Sequence, residues 1–148
     1  MIRIVLLCLR LLKTKEDVMR EIKFRVWDKI NKEYSKLLVF DAESSGVVLS
    51  GGKYGRHSAL KENVIIEQYT SFKDCNDKEI YEGDMIPILF EDWSSREITE
   101  VNGVVVEIFG GWHLKFIHPE TKKQNYSELF KLLKKNPEKE ITGTIHDK

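Results

Sequence analysis

The chain has 148 residues, 24 Lys and Arg against 24 Asp and Glu, four His, two Cys and no formal net charge. That length fits one domain, because a chain of roughly 150 residues buries about 68–70% of its extended surface on folding. Hydrophobic residues at 41% and charged residues at 32% argue against general disorder, a collagen-like repeat or a membrane-spanning architecture, and the balanced charge argues against a uniformly basic nucleic-acid binder.

The neutrality is a sum of unequal parts. Residues 1–60 carry 12 basic and 7 acidic side chains, residues 61–100 carry 4 and 11, and residues 101–148 carry 8 and 6. An acidic middle repels phosphate, so a nucleic-acid contact is expected only from the N-terminal third or from Lys131, Lys134 and Lys135. Cys8 and Cys75 form no CxxC pair, and the four His show no metal-ligand spacing. No metal or cofactor is expected, and a reducing cytoplasm is the expected compartment.

Met1–Leu12 reads MIRIVLLCLRLL, too short to span a bilayer and lacking the uninterrupted apolar core and small-residue cleavage site of a secretory signal. It reads as an amphipathic helix or as an extension upstream of a start at Met19. Residues 1–18 are therefore set apart from a single β-rich domain over 19–148, with no membrane association expected.

From Glu21 to Trp27 apolar and charged residues alternate, which predicts a half-buried strand with Ile22, Phe24 and Val26 inward and Lys23 and Arg25 outward. Tyr34–Phe40 is expected to return as a hairpin partner. Residues 41–61, with Ser44-Ser45-Gly46 and Ser50-Gly51-Gly52, read as a loop-rich excursion with a mobile tip. Val64–Tyr69 is the next apolar run. Ile86–Phe90 follows a turn at Gly83, and Pro87 argues against a central strand there because it lacks the amide donor of a ladder bond. Gly103–Phe109, Gly110-Gly111 and Trp112–Ile117 predict an antiparallel hairpin. Only residues 127–135 look helical, with Ser127 as N-cap, Leu129, Leu132 and Leu133 on one face, and lysines in the last turns. Glu140–Ile145 is expected to close the sheet. The sum is an α+β fold, mostly β, of antiparallel strands with one short helix.

MREIKFRVWD at Met19–Asp28, QYTSFKDCNDKEIYEGDMI at Gln68–Ile86, the Gly103–Phe116 hairpin and the closing Ile141–His146 together resemble the YopX family of bacteriophage and prophage proteins. The resemblance implies a compact, mostly β protein of temperate phages, with a small barrel-like C-terminal half and no established activity. The chain departs from the usual form in having Ser71 where Gly is common, Phe72 for Leu, Cys75 for a polar residue and Asp77 for the turn Gly. Tyr69, Ile80 and Tyr81 are expected to pack, Gly83 to free a turn, and Asp84 to accept local amides, so the motif reads as scaffold.

Constellations for chemistry fail on spacing. Gly46–Tyr54 lacks the Lys and hydroxyl order of a phosphate loop. Asp74, Asn76 and Lys78 open like a calcium loop, but Glu79 stands at its Gly position and Met85 at its closing Glu. Glu79, Glu82, Asp84, Glu91 and Asp92 have no companion His for acid–base or metal-assisted work. A non-enzyme is expected. Binding falls to exposed aromatics, Trp93 and Trp112 foremost, with Trp93 in a polar, turn-like setting. The leading expectation is an interaction module that forms a homo-oligomer through sheet edges or binds an unidentified phage or host macromolecule. A nucleic-acid-associated module is the alternative, and a metal-assisted hydrolase a second one.

Overall fold

The computed structural model describes residues 21–41 and 43–147; the expected extension at 1–18 lies outside them. The fold is mostly β with one short helix, in two antiparallel sheets. Strands β1 (Phe24–Asp28), β2 (Glu33–Phe40), β3 (Gly46–Ser50), β4 (His57–Leu60), β5 (Val64–Lys73) and β6 (Glu79–Tyr81) form the first, in the order β4-β3-β2-β1-β5-β6.

This first sheet has to curl. Only the 3-10 turn Lys61–Asn63 joins β4 to β5, a reach of about 14 Å at the extended limit, whereas four strand spacings in a flat sheet cover about 19 Å. The concave side holds Val26, Val47, Leu49 and Val64, all buried, with Leu37, Ala59 and Ile66 against them. The loop-rich reading of 41–61 is corrected here. Within it the chain forms β3 and β4, because Val47 and Leu49 reach this core and β2 offers a free edge, and neither fact is visible in the local Ser and Gly content. On β1, the inward face is covered only at Val26; Phe24 and Ile22 are exposed.

The second sheet runs β10-β9-β8-β7-β11, from β7 (Asp84–Glu91), β8 (Ile98–Ile108), β9 (Gly111–Ile117), β10 (Gln124–Glu128) and β11 (Gly143–Thr144). Its larger core comprises Ile80, Ile86, Ile88, Val105, Trp112, Leu114, Phe116, Leu129 and Leu132. Helix α1 (Leu129–Lys135) covers that face. Its N-cap is Glu128 without a side-chain cap bond, since Ser127 is held in β10 opposite Leu114. The expected closing strand shortens to β11. No ladder joins β10 to β11 among the described residues, so the C-terminal half is an open sheet packed on a helix and not a closed barrel.

The β8–β9 turn is Phe109-Gly110, with Ile108 opposite Gly111 and φ of 50° and 78°, the positive pair of a type I′ turn. Two of the family departures carry the same constraint. Ser71 (φ 69°) sits where β5 changes register against β6, and Asp77 (φ 63°) in the following turn, so both positions at which the family favours Gly are left-handed here.

Candidate functional site

Where the two sheets meet, Arg25 stands at the centre of a buried charge cluster. Register pairs Arg25 on β1 with Glu67 on β5. Its Nε donates to Glu67 Oε2 at 2.7 Å and its Nη2 to Asp84 Oδ1 at 2.6 Å. Its guanidinium lies between the rings of Tyr34 (4.3 Å) and Tyr81 (4.7 Å), a planar cation against two π faces. Glu67 is 2% and Asp84 0% exposed. Asp84 Oδ2 accepts from the Tyr81 amide at 2.8 Å. Burial pushes the Asp84 carboxyl up, against the pull of that amide and of Arg25. Burial would lower Arg25, but Asp84 and Glu67 outweigh it and its acidity is weakened further.

The second oxygen of Glu67 lies 2.7 Å from His146 Nε2, and the His146 ring stacks on Trp27 at 4.6 Å and 6°. The C-terminal tail is thereby tied to the first sheet, while Ile145 donates its amide to the Gly83 carbonyl at 3.0 Å and Gly83 to Val105 at 2.9 Å. Gly83 has φ +82°, and a Cβ there would stand 2.7 Å from Glu67 Oε1; both facts demand glycine. The Tyr34 hydroxyl, pushed up to about 12 by burial, is buried without a hydrogen bond of acceptable geometry, with only a weaker opposing pull from Thr144.

The scaffold residues expected from the motif all converge here. Tyr69 packs on Tyr81 (5.4 Å), Ile80 is fully buried in the second core, and Gly83 and Asp84 form the joint. The sequence pattern does not single out Arg25, Glu67, Tyr34 or His146, and Trp27, a candidate binding aromatic along with Trp93 and Trp112, instead packs on His146 and Tyr34. Arg25 was assigned to the solvated face of its strand; the one local signal was Glu67, an acid in the apolar run Val64–Tyr69. Beside the cluster lies an open cleft of about 610 Å³, lined by Ile22, Phe24, Arg25, Tyr34, Leu37 and Tyr81 among others. Two of its three cations are answered, Lys23 by Glu79 at 2.6 Å and Glu21 at 3.2 Å and Arg25 by Glu67 and Asp84, while the third, Lys36, is exposed.

Asp74 holds a second joint. Oδ1 accepts the amides of Asn76 and Lys78, and Oδ2 that of Ile141, so its pKa falls below the usual range in spite of burial. Both oxygens of the calcium-like residue are thus committed to backbone, and among the described residues no group of three His, Cys, Asp or Glu converges as a metal site.

The candidate binding residues separate. Trp112 is 7% exposed in the second core, so the structure removes it as a surface anchor: the alternation of β9 turns it inward with Leu114 and Phe116. Lys131 is bound to Glu128, while Lys134 and Lys135 are exposed in the last turn of α1. Trp93 is 88% exposed. It lies at the tip of a two-stranded ribbon, since β7 and β8 pair out to Glu91 and Ile98, whereas β9 accompanies β8 only from Val104 and β11 accompanies β7 only at Asp84 and Met85. Asp92 ties the tip by accepting from the Ser94 amide and hydroxyl at 2.7 and 2.6 Å, which hold its pKa near about 2. Leu89 and Ile98 are exposed beside Trp93, while Phe90 packs on Phe116 and His118.

Two antiparallel sheets pinned by a buried Arg–carboxylate–His joint and carrying a projecting ribbon define a small two-sheet β protein. The chain belongs to the YopX family: the family model described as YopX protein matches residues 23–148, a span that contains every residue of the joint. The crystal structure of protein EF1440 from Enterococcus faecalis is similar in fold, with a TM-score of 0.51 and 19% identity over 85% of this chain and 94% of that one. No curated protein matches the chain. No helix among the described residues is long and apolar enough to cross a membrane.

Proposed function

We propose that this YopX-family protein is a non-enzymatic accessory protein of phage or prophage, an interaction module that engages a second copy of itself or a macromolecule through its projecting ribbon. The carrying observation is Trp93, 88% exposed at the tip of a ribbon with Leu89 and Ile98 bare beside it. Tryptophan is the side chain most enriched among residues that dominate binding energy, and nothing within the ribbon requires its exposure for folding. Of the carboxylates considered for hydrolysis, Glu79 and Asp84 are held by Lys23 and Arg25 and Asp92 accepts from the Ser94 amide and hydroxyl. For the nucleic-acid alternative, Lys131 of the helix is taken by Glu128 while Lys134 and Lys135 are exposed, and the ribbon itself carries Glu91, Asp92, Glu97 and Glu100 against Arg96, which repel phosphate.

Light scattering on size-exclusion eluate over a range of concentrations tests the self-associating form, with Trp93→Ala expected to weaken association by about tenfold or more. A benzophenone amino acid in place of Trp93, illuminated in the bacterial host, tests the other form by cross-linking. A strict monomer that also forms no cross-link through position 93 overturns the interaction module.

A further inference from the structure

The two free edges of the second sheet carry opposite charge and matching length. On one side, β7 has no strand partner beyond Met85 among the described residues. Pro87 lacks a donor there, so the edge able to take up a new strand runs from Ile88 to Glu91 and leads into Asp92 and Trp93. The ribbon sums to four acids, Glu91, Asp92, Glu97 and Glu100, against Arg96 alone, a net charge of −3. On the other side, β10 ends the sheet. It is entered through exposed Lys122 and Lys123, with exposed Lys115 on the neighbouring strand, and it bears exposed Tyr126. Its far end, Glu128, is acidic, though bound to Lys131.

We propose that β7 of one copy receives β10 of a second copy in antiparallel pairing, extending the five-stranded sheet head to tail. Charge selects the direction. Antiparallel pairing brings the acidic end of β7 to the basic entry of β10, whereas parallel pairing sets Glu91 against Glu128. The period of the strands then supplies a register. With Glu91 opposite Gln124, exposed Leu89 faces exposed Tyr126, Asp92 faces Lys123, and Trp93 faces Lys122, a cation against the richest π face. The pairs Leu89–Tyr126, Glu91–Gln124 and Trp93–Lys122 lie on the solvent side of both sheets, while Ile88, Phe90 and Asp92 take the other side, opposite Ser127, Asn125 and Lys123. The contact joins two different surfaces, so it continues into a ring or an open filament and does not stop at a dimer. This inference rests on the self-associating form of the proposed function.

Charge swaps test it on the full chain. Glu91→Lys with Glu100→Lys makes both edges basic; Lys122→Glu with Lys123→Glu makes both acidic. Sedimentation of the wild type is expected to show mass rising beyond two copies with concentration. Each swap variant alone is expected to associate on the order of a hundredfold more weakly, the cost of facing like charges. An equal mixture of the two variants is expected to recover association, because each copy again meets an opposite edge, and that recovery also shows that both variants are folded. Thermal melts of each variant serve as the second check on folding. A monomeric wild type overturns both the inference and the self-associating form. Association of the wild type that persists in either variant alone, or that the mixture of folded variants does not recover, overturns the edge pairing and leaves self-association by another surface standing.

Discussion

The joint and the ribbon treat charge and aromatic surface in opposite ways. In the joint, buried Glu67 and Asp84 are tied to the partly buried Arg25 and His146, and the rings of Trp27, Tyr34 and Tyr81 are used against them. In the ribbon, Glu91, Glu97 and Glu100 face water without ion pairs among the described residues, and Trp93 packs on nothing that the fold supplies. A buried ion pair offsets its own desolvation at best and is destructive when halved, so the joint specifies how the two sheets meet. An exposed apolar tip contributes little to folding, and on the proposed reading it serves a partner.

Substitutions can break that contrast, and the largest effect is expected at Arg25. Arg25→Ala leaves two carboxylates buried without a cation and is expected to destabilise by about 3–5 kcal/mol, read from urea unfolding; a loss no greater than that of an ordinary surface change would mean the joint holds nothing together. His146→Ala removes one bond to buried Glu67 and the stack on Trp27, for an expected loss of about 1–3 kcal/mol, with earlier hydrogen exchange in β11 than in β8. Acid sharpens the role of Asp74. Its folded pKa lies below its unfolded value of about 3.9, so its stabilisation is present above that value and disappears as pH falls through the folded pKa. The wild type is therefore expected to lose stability below about pH 4, and Asp74→Asn to be less stable at neutral pH but flatter across the acid range; identical slopes would remove Asp74 from the account.

Smaller effects are expected farther from the joint. Ser71→Gly and Asp77→Gly relieve left-handed backbone, and each is expected to raise stability by about 0.5–1 kcal/mol after the extra entropy of the unfolded glycine is counted. The Lys73–Asp77 ion pair lost with the second is exposed and worth little. At the ribbon, Trp93→Ala is expected to change stability by no more than about 0.5 kcal/mol while weakening association; a large drop in melting temperature would show that Trp93 packs in the folded chain and would end its role as an anchor.

The strand pattern of β1, the β8–β9 hairpin, the short helix and the family motif are legible along the chain, because period and turn chemistry are local, although the turn falls at Phe109-Gly110, one residue before the expected Gly110-Gly111. The sites were legible unevenly. Trp93 declared itself by its polar setting, and the motif residues Tyr69, Ile80, Tyr81, Gly83 and Asp84 by their order. Trp112, in equally strong β context, pointed to surface or core without distinction. Residues 41–61 misled, since Val47 and Leu49 among serines and glycines become strand residues only when β2 stands beside them.

What the sequence determined by itself was the mostly β class, the family and the turns at Gly83 and Asp77, all readable from near neighbours in the chain. What only the tertiary structure decided was the meaning of the charges. Arg25 alternates like a solvated residue, yet it is partly buried because Glu67 stands 42, Asp84 59 and His146 121 positions away in sequence and packing places them together. Period records which side of a strand a residue takes, but whether that side meets water or a second sheet depends on contacts between distant segments.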